Sequence, residues 1–395
     1  MNDDSGRKRG PASYLRYALL ALAAFLVLSL GFALIPRESP APAAPPFSEQ
    51  ARSAALAETL ELRAASQQLA NGSSGARRQL FSHAVTLLTT QAQALLLPDG
   101  ASGSASPAAG ASSAPAPSGT APSGRAPSGR APSGTAPSGR ATLPALAGAL
   151  SQSGKERLVH AEKADGGMAR LLAAVGTAQL LQATALAEAA GTTPPAFPTP
   201  AATLRNAATT CSVPSGSSAP PQAGPQPGSS GQPDNATLAA ALGRAVRTEV
   251  ETVYGYQVAL TRLKGAAAEQ AAGLLARHEA LVGQAEGYTR VHCVSVPPRE
   301  PGYTLGSSFL QKPAAGLASL EAGTLPVYGD LVALSDGETR KWAVASLVAA
   351  AQRTVLWGSD PGPVPGIVLD TAILPELPEP ETTSAHPTGQ SVSAP

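Results

Sequence analysis

The chain opens with an uninterrupted apolar run. It then alternates between blocks with apolar residues at helical spacing and stretches with no periodicity. Tyr17 to Ile35 holds nineteen residues without a charge. As a helix it rises about 28 Å, close to a hydrocarbon core of roughly 30 Å. Arg7, Lys8, Arg9 and Arg16 precede the run, whereas Arg37 on the far side is followed at once by Glu38. The positive-inside rule therefore predicts a membrane helix over 14–36, with residues 1–13 in the cytoplasm and the chain after Pro36 outside it. A cleaved signal peptide ending near Ala41-Pro42-Ala43 is the alternative, although signal cores usually run shorter. No cysteine precedes Cys211, which excludes a lipid-modified N-terminal cysteine.

The next block, 48–98, is rich in Ala, Leu and Gln and is interrupted at Asn71-Gly72-Ser73-Ser74-Gly75. This pattern predicts a helical hairpin. A second hairpin is predicted over 142–190, with Leu171, Leu172, Val175, Leu180, Leu181 and Leu186 as its apolar stripe and Gly166-Gly167 as its break. Each hairpin alone buries little, so the two are expected to join. His160 follows Glu156 by four residues, the spacing of a surface pair or of two metal ligands on one helix face.

The longest periodic block, 235–360, reads as four helices at 236–263, 265–292, 313–334 and 337–357, the third kinked at Pro326. Four such helices fit an antiparallel bundle. In the first, Leu242, Val246, Glu249, Val253, Tyr256 and Leu260 share one seam, which puts a carboxylate among apolar neighbours. In the second, Leu274, His278, Leu281, Ala285 and Tyr288 do the same for an imidazole. Glu321 lies beside the seam of the third helix, and Gln352 falls in the seam of the fourth, between Trp342 and Leu356. Glu249, His278, Glu321 and Gln352 are thus expected to converge inside the bundle, with Tyr254 and Tyr256 as further polar residues of its interior.

Composition changes the picture between these blocks. Of 395 residues, 39 are Gly and 38 are Pro, which argues against a single compact domain. These residues concentrate in a linker at 37–47, a spacer at 99–141 with five APSGX pentads, a second linker at 191–234 and a tail at 361–395. The spacer, the second linker and the tail read as disordered. Arg125, Arg130 and Arg140 of the pentads serve either solubility or contact with an anionic envelope polymer. A net charge of +1 with no long basic run excludes the electrostatic footprint of a nucleic-acid binder.

The runs TEVETVYGYQVALTRL, LLARHEALVGQ, LEAGTLPVYGDLVAL and WAVASLVAAAQRTVLWG resemble a ferritin-like domain of unknown function found in exported actinobacterial proteins. The family pattern of a Glu followed five and seven residues later by Tyr corresponds to Glu249, Tyr254 and Tyr256. The resemblance implies a ferritin-like helical bundle and no settled activity. A di-iron site in such a bundle needs Glu-x-x-His on two helices, and this chain has no Glu-x-x-His at all. Glu249, His278 and Glu321 remain as ligands for a single metal ion, with Tyr254 or Tyr256 nearby, or as hydrogen-bond partners of one another.

Other chemistry is sparse. The chain contains no Gly-x-Ser-x-Gly, Walker loop, Cys-x-x-Cys or His-Glu-x-x-His. Outside the cytoplasm, Cys211 and Cys293 read as one disulfide rather than two free thiols. His292 beside Cys293 has no third ligand in view. The sequence therefore predicts an all-α, single-pass, extracytoplasmic protein. Its role is binding or structural, its partner an envelope protein or polymer, and it has no cofactor and no catalytic residue. The alternative is an envelope metal-binding or redox protein.

Overall fold

Alanine, leucine and glutamine lose little side-chain freedom in a helix, and the blocks they dominate are helical throughout. The computed structural model describes residues 44–96, 141–200 and 237–377, together with Leu19, Leu22, Ala23 and Phe25 individually. The rest of the expected membrane helix lies outside the described residues. So do nearly all of the pentad spacer, most of the second linker with Cys211, and the end of the tail. Among the described residues the regular elements are all helices.

Helices α1 (Phe47–Asn71) and α2 (Gly75–Leu96) form the first hairpin, with Gly75 at φ +56° re-entering the helix. Helices α3 (Leu143–Lys163) and α4 (Gly166–Ala190) form the second. Thr142 caps α3 by accepting from the Ala145 amide at 3.3 Å, and Gly191 closes α4 in the left-handed region at φ +67°. The expected break at Gly166-Gly167 falls just before it, at Ala164-Asp165, and the glycine pair opens α4 instead. A Cβ on Gly166 would stand 2.6 Å from the Ala333 carbonyl oxygen, so this glycine serves a close helix approach rather than a turn.

The C-terminal block gives α5 (Leu238–Leu260), α6 (Ala266–Val291), α8 (Pro313–Leu334) and α9 (Gly337–Leu356), within a few residues of expectation. A short α7 (Ser307–Gln311), not foreseen, lays Phe309 against Gly316. Helix α8 runs unbroken through Pro326, which is exposed.

The hairpins and the C-terminal helices share one core. A single hydrophobic cluster includes Ala55 of α1, Leu95 of α2, Leu172 of α4, Leu242 of α5, Leu281 of α6, Leu331 of α8 and Leu347 of α9. Helix α4 lies at its centre, touching α1, α2, α3, α8 and α9. That position explains its apolar composition. Among the described residues α4 is the one helix long and apolar enough to cross a membrane, yet 78% of its most apolar window is buried inside the protein.

Close approach of α3 to α4 depends on two glycines. A Cβ on Gly176 would lie 2.7 Å from the Gly154 carbonyl oxygen and 2.9 Å from Arg157 Cβ. Gly176→Ala is therefore expected to destabilise by about 1–3 kcal/mol, because a packed backbone has to move to admit one methyl group. Chemical denaturation measures this, and an unchanged midpoint would show that the helices separate freely.

One expectation needs correction. Composition predicts disorder from 361 onward, but residues 361–377 are ordered against the core. Val364 is buried, and the 3-10 turn Thr371–Ile373 follows it. The Pro-rich segment offers carbonyls with few amide donors of its own, and side chains of the hairpins supply them. Gln91 Nε2 donates to Pro363 O at 2.8 Å, Arg170 Nη2 to Gly366 O at 2.6 Å and Gln93 Nε2 to Pro375 O at 3.1 Å. Gly366, at φ +79°, approaches α8 so closely that a Cβ would meet Leu325 O at 2.6 Å. In the linker after α4, Phe197 likewise packs against the core.

Candidate functional site

Helical periodicity carries Glu249 of α5, His278 of α6 and Glu321 of α8 into the interior, and the three meet. His278 Nδ1 lies 2.7 Å from Glu249 Oε2, and its Nε2 lies 2.8 Å from Glu321 Oε1. All three side chains are essentially fully buried. The second oxygen of each carboxylate is also engaged. Tyr328 of α8 donates to Glu249 Oε1, and Arg353 of α9 donates through Nε to Glu321 Oε2 at 2.8 Å. Tyr256 adds a donation to Glu321 Oε1 at 2.6 Å and accepts one from Trp357 Nε1 at 2.7 Å. The result is a chain of contacts through the four long C-terminal helices, α5, α6, α8 and α9. Two carboxylates, one guanidinium and one imidazolium balance in charge.

The protonation pattern follows from this geometry. Both imidazole nitrogens face carboxylate oxygens, and only the imidazolium donates from both. Burial alone pushes His278 towards its neutral form, but Glu249 and Glu321 outweigh it and hold its pKa above the ordinary 6.5. Burial likewise favours the neutral Glu321 acid, and Arg353 and His278 overcome it, so that carboxyl sits below its ordinary 4.5. The Tyr328 phenol is raised well above its ordinary range, first by burial and then by Glu249. Tyr256 is raised by burial and by Glu321.

Stability should follow these shifts. A raised histidine contributes fully below its unfolded pKa, and the contribution is lost as pH rises through the folded value. A lowered carboxylate contributes fully above its unfolded pKa, and the contribution is lost as pH falls through the folded value. From the ordinary values of 6.5 and 4.5, the network is expected to stabilise most between those two pH values and less on either side. The difference in urea midpoint between the wild type and His278→Gln, followed across pH, isolates this share. A difference that does not vary with pH would contradict it.

The donor set does not fit a metal ion. Every oxygen of Glu249 and Glu321 already accepts from a protein donor, and neither nitrogen of His278 presents a free lone pair outward. The positive charge that a metal would bring is supplied by Arg353, whose guanidinium sits on Glu321. Among the described residues no three His, Cys, Asp or Glu are placed to share an ion.

Two residues expected inside the bundle lie elsewhere. Tyr254 is half-buried and packs on Tyr303, ring centroids 5.6 Å apart, rather than entering the core. The two-residue step from Tyr254 to Tyr256 turns about 200° around a helix of 3.6 residues per turn, which puts the two side chains on nearly opposite faces. Gln352 is half-buried, and its neighbour Arg353 occupies the interior instead. Helix α9 is buried on nearly every side, so its apolar residues define no single seam, and the register chosen from Trp342, Ala349 and Leu356 was offset.

Sequence reasoning also missed Tyr328 and Arg353. Tyr328 follows Glu321 by seven residues and so shares its face. Arg353 could have been found from charge alone, since two buried carboxylates and one histidine require a second cation.

The remaining candidates have separate surroundings. His160 is half-buried, edge-on to the Phe47 ring at 5.6 Å and 3.8 Å from Glu156. His292 engages Thr339 Oγ1 at 2.9 Å. Cys293 is disulfide-bonded, while Cys211 lies outside the described residues.

Residues 241–368 match a family model described as a domain of unknown function (DUF4439). That span takes in the whole network and the first residues of the ordered tail segment, to 368. No curated protein and no solved structure matches the chain.

Proposed function

We propose that this chain is a membrane-anchored, extracytoplasmic helical protein with a ferritin-like C-terminal bundle lacking a di-iron site, and that it serves the cell envelope as a binding or structural module. One observation carries the non-enzymatic part of this reading: the buried carboxylate oxygens and imidazole nitrogens of the bundle are consumed by protein partners. Each carboxylate oxygen and each imidazole nitrogen of the network faces a protein partner, which leaves no activated base, nucleophile or open ligand position there. A satisfied network of this kind fixes which helix faces meet.

The anchor rests on the sequence. The charge-free run over 17–35 has four basic residues before it, and three of its large side chains, Leu19, Leu22 and Phe25, are 61%, 65% and 76% exposed. A bilayer would cover such side chains. Surface proteolysis of intact cells followed by carbonate extraction tests the reading. Accessible protein retained in the membrane pellet is expected. Protease-resistant protein recovered in the soluble cytosolic fraction would overturn it.

A further inference from the structure

The ordered tail segment, 361–377, lies in a preformed seat. Gln91 and Gln93 of α2 and Arg170 of α4 donate to the carbonyls of Pro363, Pro375 and Gly366, so the seat holds the segment by its backbone. Two of these donors are themselves fixed. Gln91 is fully buried, and its Oε1 accepts from Gln179 Nε2 at 3.1 Å, which sets the direction of its amide. Arg170 Nη1 lies 2.8 Å from Asp330 Oδ1. On α8, Gly329 leaves room for the segment, since a Cβ there would stand 3.0 Å from Arg170 Nε and 3.2 Å from Gly366 O. Val364 and Pro365 are the buried side chains of the segment, Val364 within the main core cluster.

None of these contacts depends on where the segment is attached, and each would be the same with a segment supplied by another molecule. The attachment is short. Residues 357–360 join the segment to α9, with Gly358 and Asp360 exposed and Gly358 at φ +85°. Exposed large apolar side chains gather around this hinge, Val355 and Leu356 just before it and Val368 and Ile373 on the segment. A single copy leaves them in water, whereas two hinges that cross lie against each other and cover Val355 and Leu356. We propose that this chain pairs by exchanging segment 361–377, the seat of each copy receiving the segment of the other.

Exchange of an identical element needs no new recognition surface, because the seat already fits its sequence. Tethering favours each copy's own segment in dilute solution, so pairing grows with concentration. The proposal deepens the binding role suggested above by naming a second copy as the partner, but it does not depend on the membrane anchor. Cell fractionation and the pairing experiment therefore fail independently.

Two full-length variants test it by complementation. Gly366→Val unseats its own segment, because a Cβ at φ +79° meets Leu325 O at 2.6 Å, and it leaves the seat intact. Gly329→Leu fills the seat and leaves the segment intact. The two are labelled with a donor and an acceptor fluorophore, mixed in nonionic detergent and titrated by energy transfer, with circular dichroism to verify that both are folded. The mixed pair is expected to have a dissociation constant at least about tenfold below that of either variant with itself, since the mixture alone supplies a free seat and a competent segment. Should Gly329→Leu fail to fold, a labelled peptide of residues 361–377 takes its place as the segment donor. Equal affinity in mixed and unmixed samples would overturn the proposal. Failure of Gly366→Val to fold would overturn it too, because the segment would then be inseparable from the core of its own copy.

Discussion

Glu321→Ala is expected to destabilise the folded chain by about 3–5 kcal/mol, because it strands a buried guanidinium and removes one of two carboxylates from a buried imidazolium. Glu321 is fully buried and accepts from Tyr256, His278 and Arg353 together. The loss should be much smaller when both partners go. In Glu321→Leu/Arg353→Met the two charges leave together, and apolar side chains of similar size take their place. Replacement of a buried ion pair in this way is often close to neutral. Chemical denaturation of the single and double variants completes the cycle. A double variant as unstable as Glu321→Ala would show that the network contributes through its hydrogen bonds to Tyr256 and His278 rather than through charge.

Trp342→Ala is the second large effect, at about 3–5 kcal/mol for truncation of a buried indole. Trp342 is 2% exposed, lies 4.9 Å from the Tyr288 ring and 5.7 Å from the Tyr328 ring, and donates from Nε1 to Gln284 Oε1 at 2.7 Å. Its contact with Tyr328 couples it to Glu249, so the cavity it leaves also loosens a network donor. Trp357→Ala should cost distinctly less, since Trp357 is only half-buried and packs at the edge of the network against Tyr256. Equal losses at the two positions would contradict this ordering, and denaturation midpoints measure both.

The helices were legible because each carries a local signal. Turn residues at 71–75 and apolar residues at helical spacing are written within a few positions of one another. The seams of α5 and α6 were legible too, since each helix has one polar and one apolar side, and they placed Glu249 and His278 correctly. Helix α9 defeated the same reasoning. Burial from several sides erases the period, so Gln352 was chosen where Arg353 belongs. The ordered segment 361–377 was illegible for a different reason. Its order comes from Gln91, Gln93 and Arg170, which lie some two hundred or more positions earlier in the chain, and no local pattern announces such donors. The sharing of one core by the hairpins and the C-terminal helices was hidden in the same way, because helix faces do not name their partners.

A protonated histidine and an arginine hold the two buried carboxylates where a metal-binding bundle would hold an ion. Nitrogen-15 NMR of the imidazole groups tests it most directly, with His278 assigned among the five histidines by its absence in His278→Gln. At about pH 7.5, where a histidine of ordinary pKa is mostly neutral, both nitrogens of His278 should carry protons, and added iron, manganese or zinc should leave their shifts in place. A neutral His278 with one bare nitrogen, or a shift on metal addition that is lost in Glu249→Ala, would contradict the account.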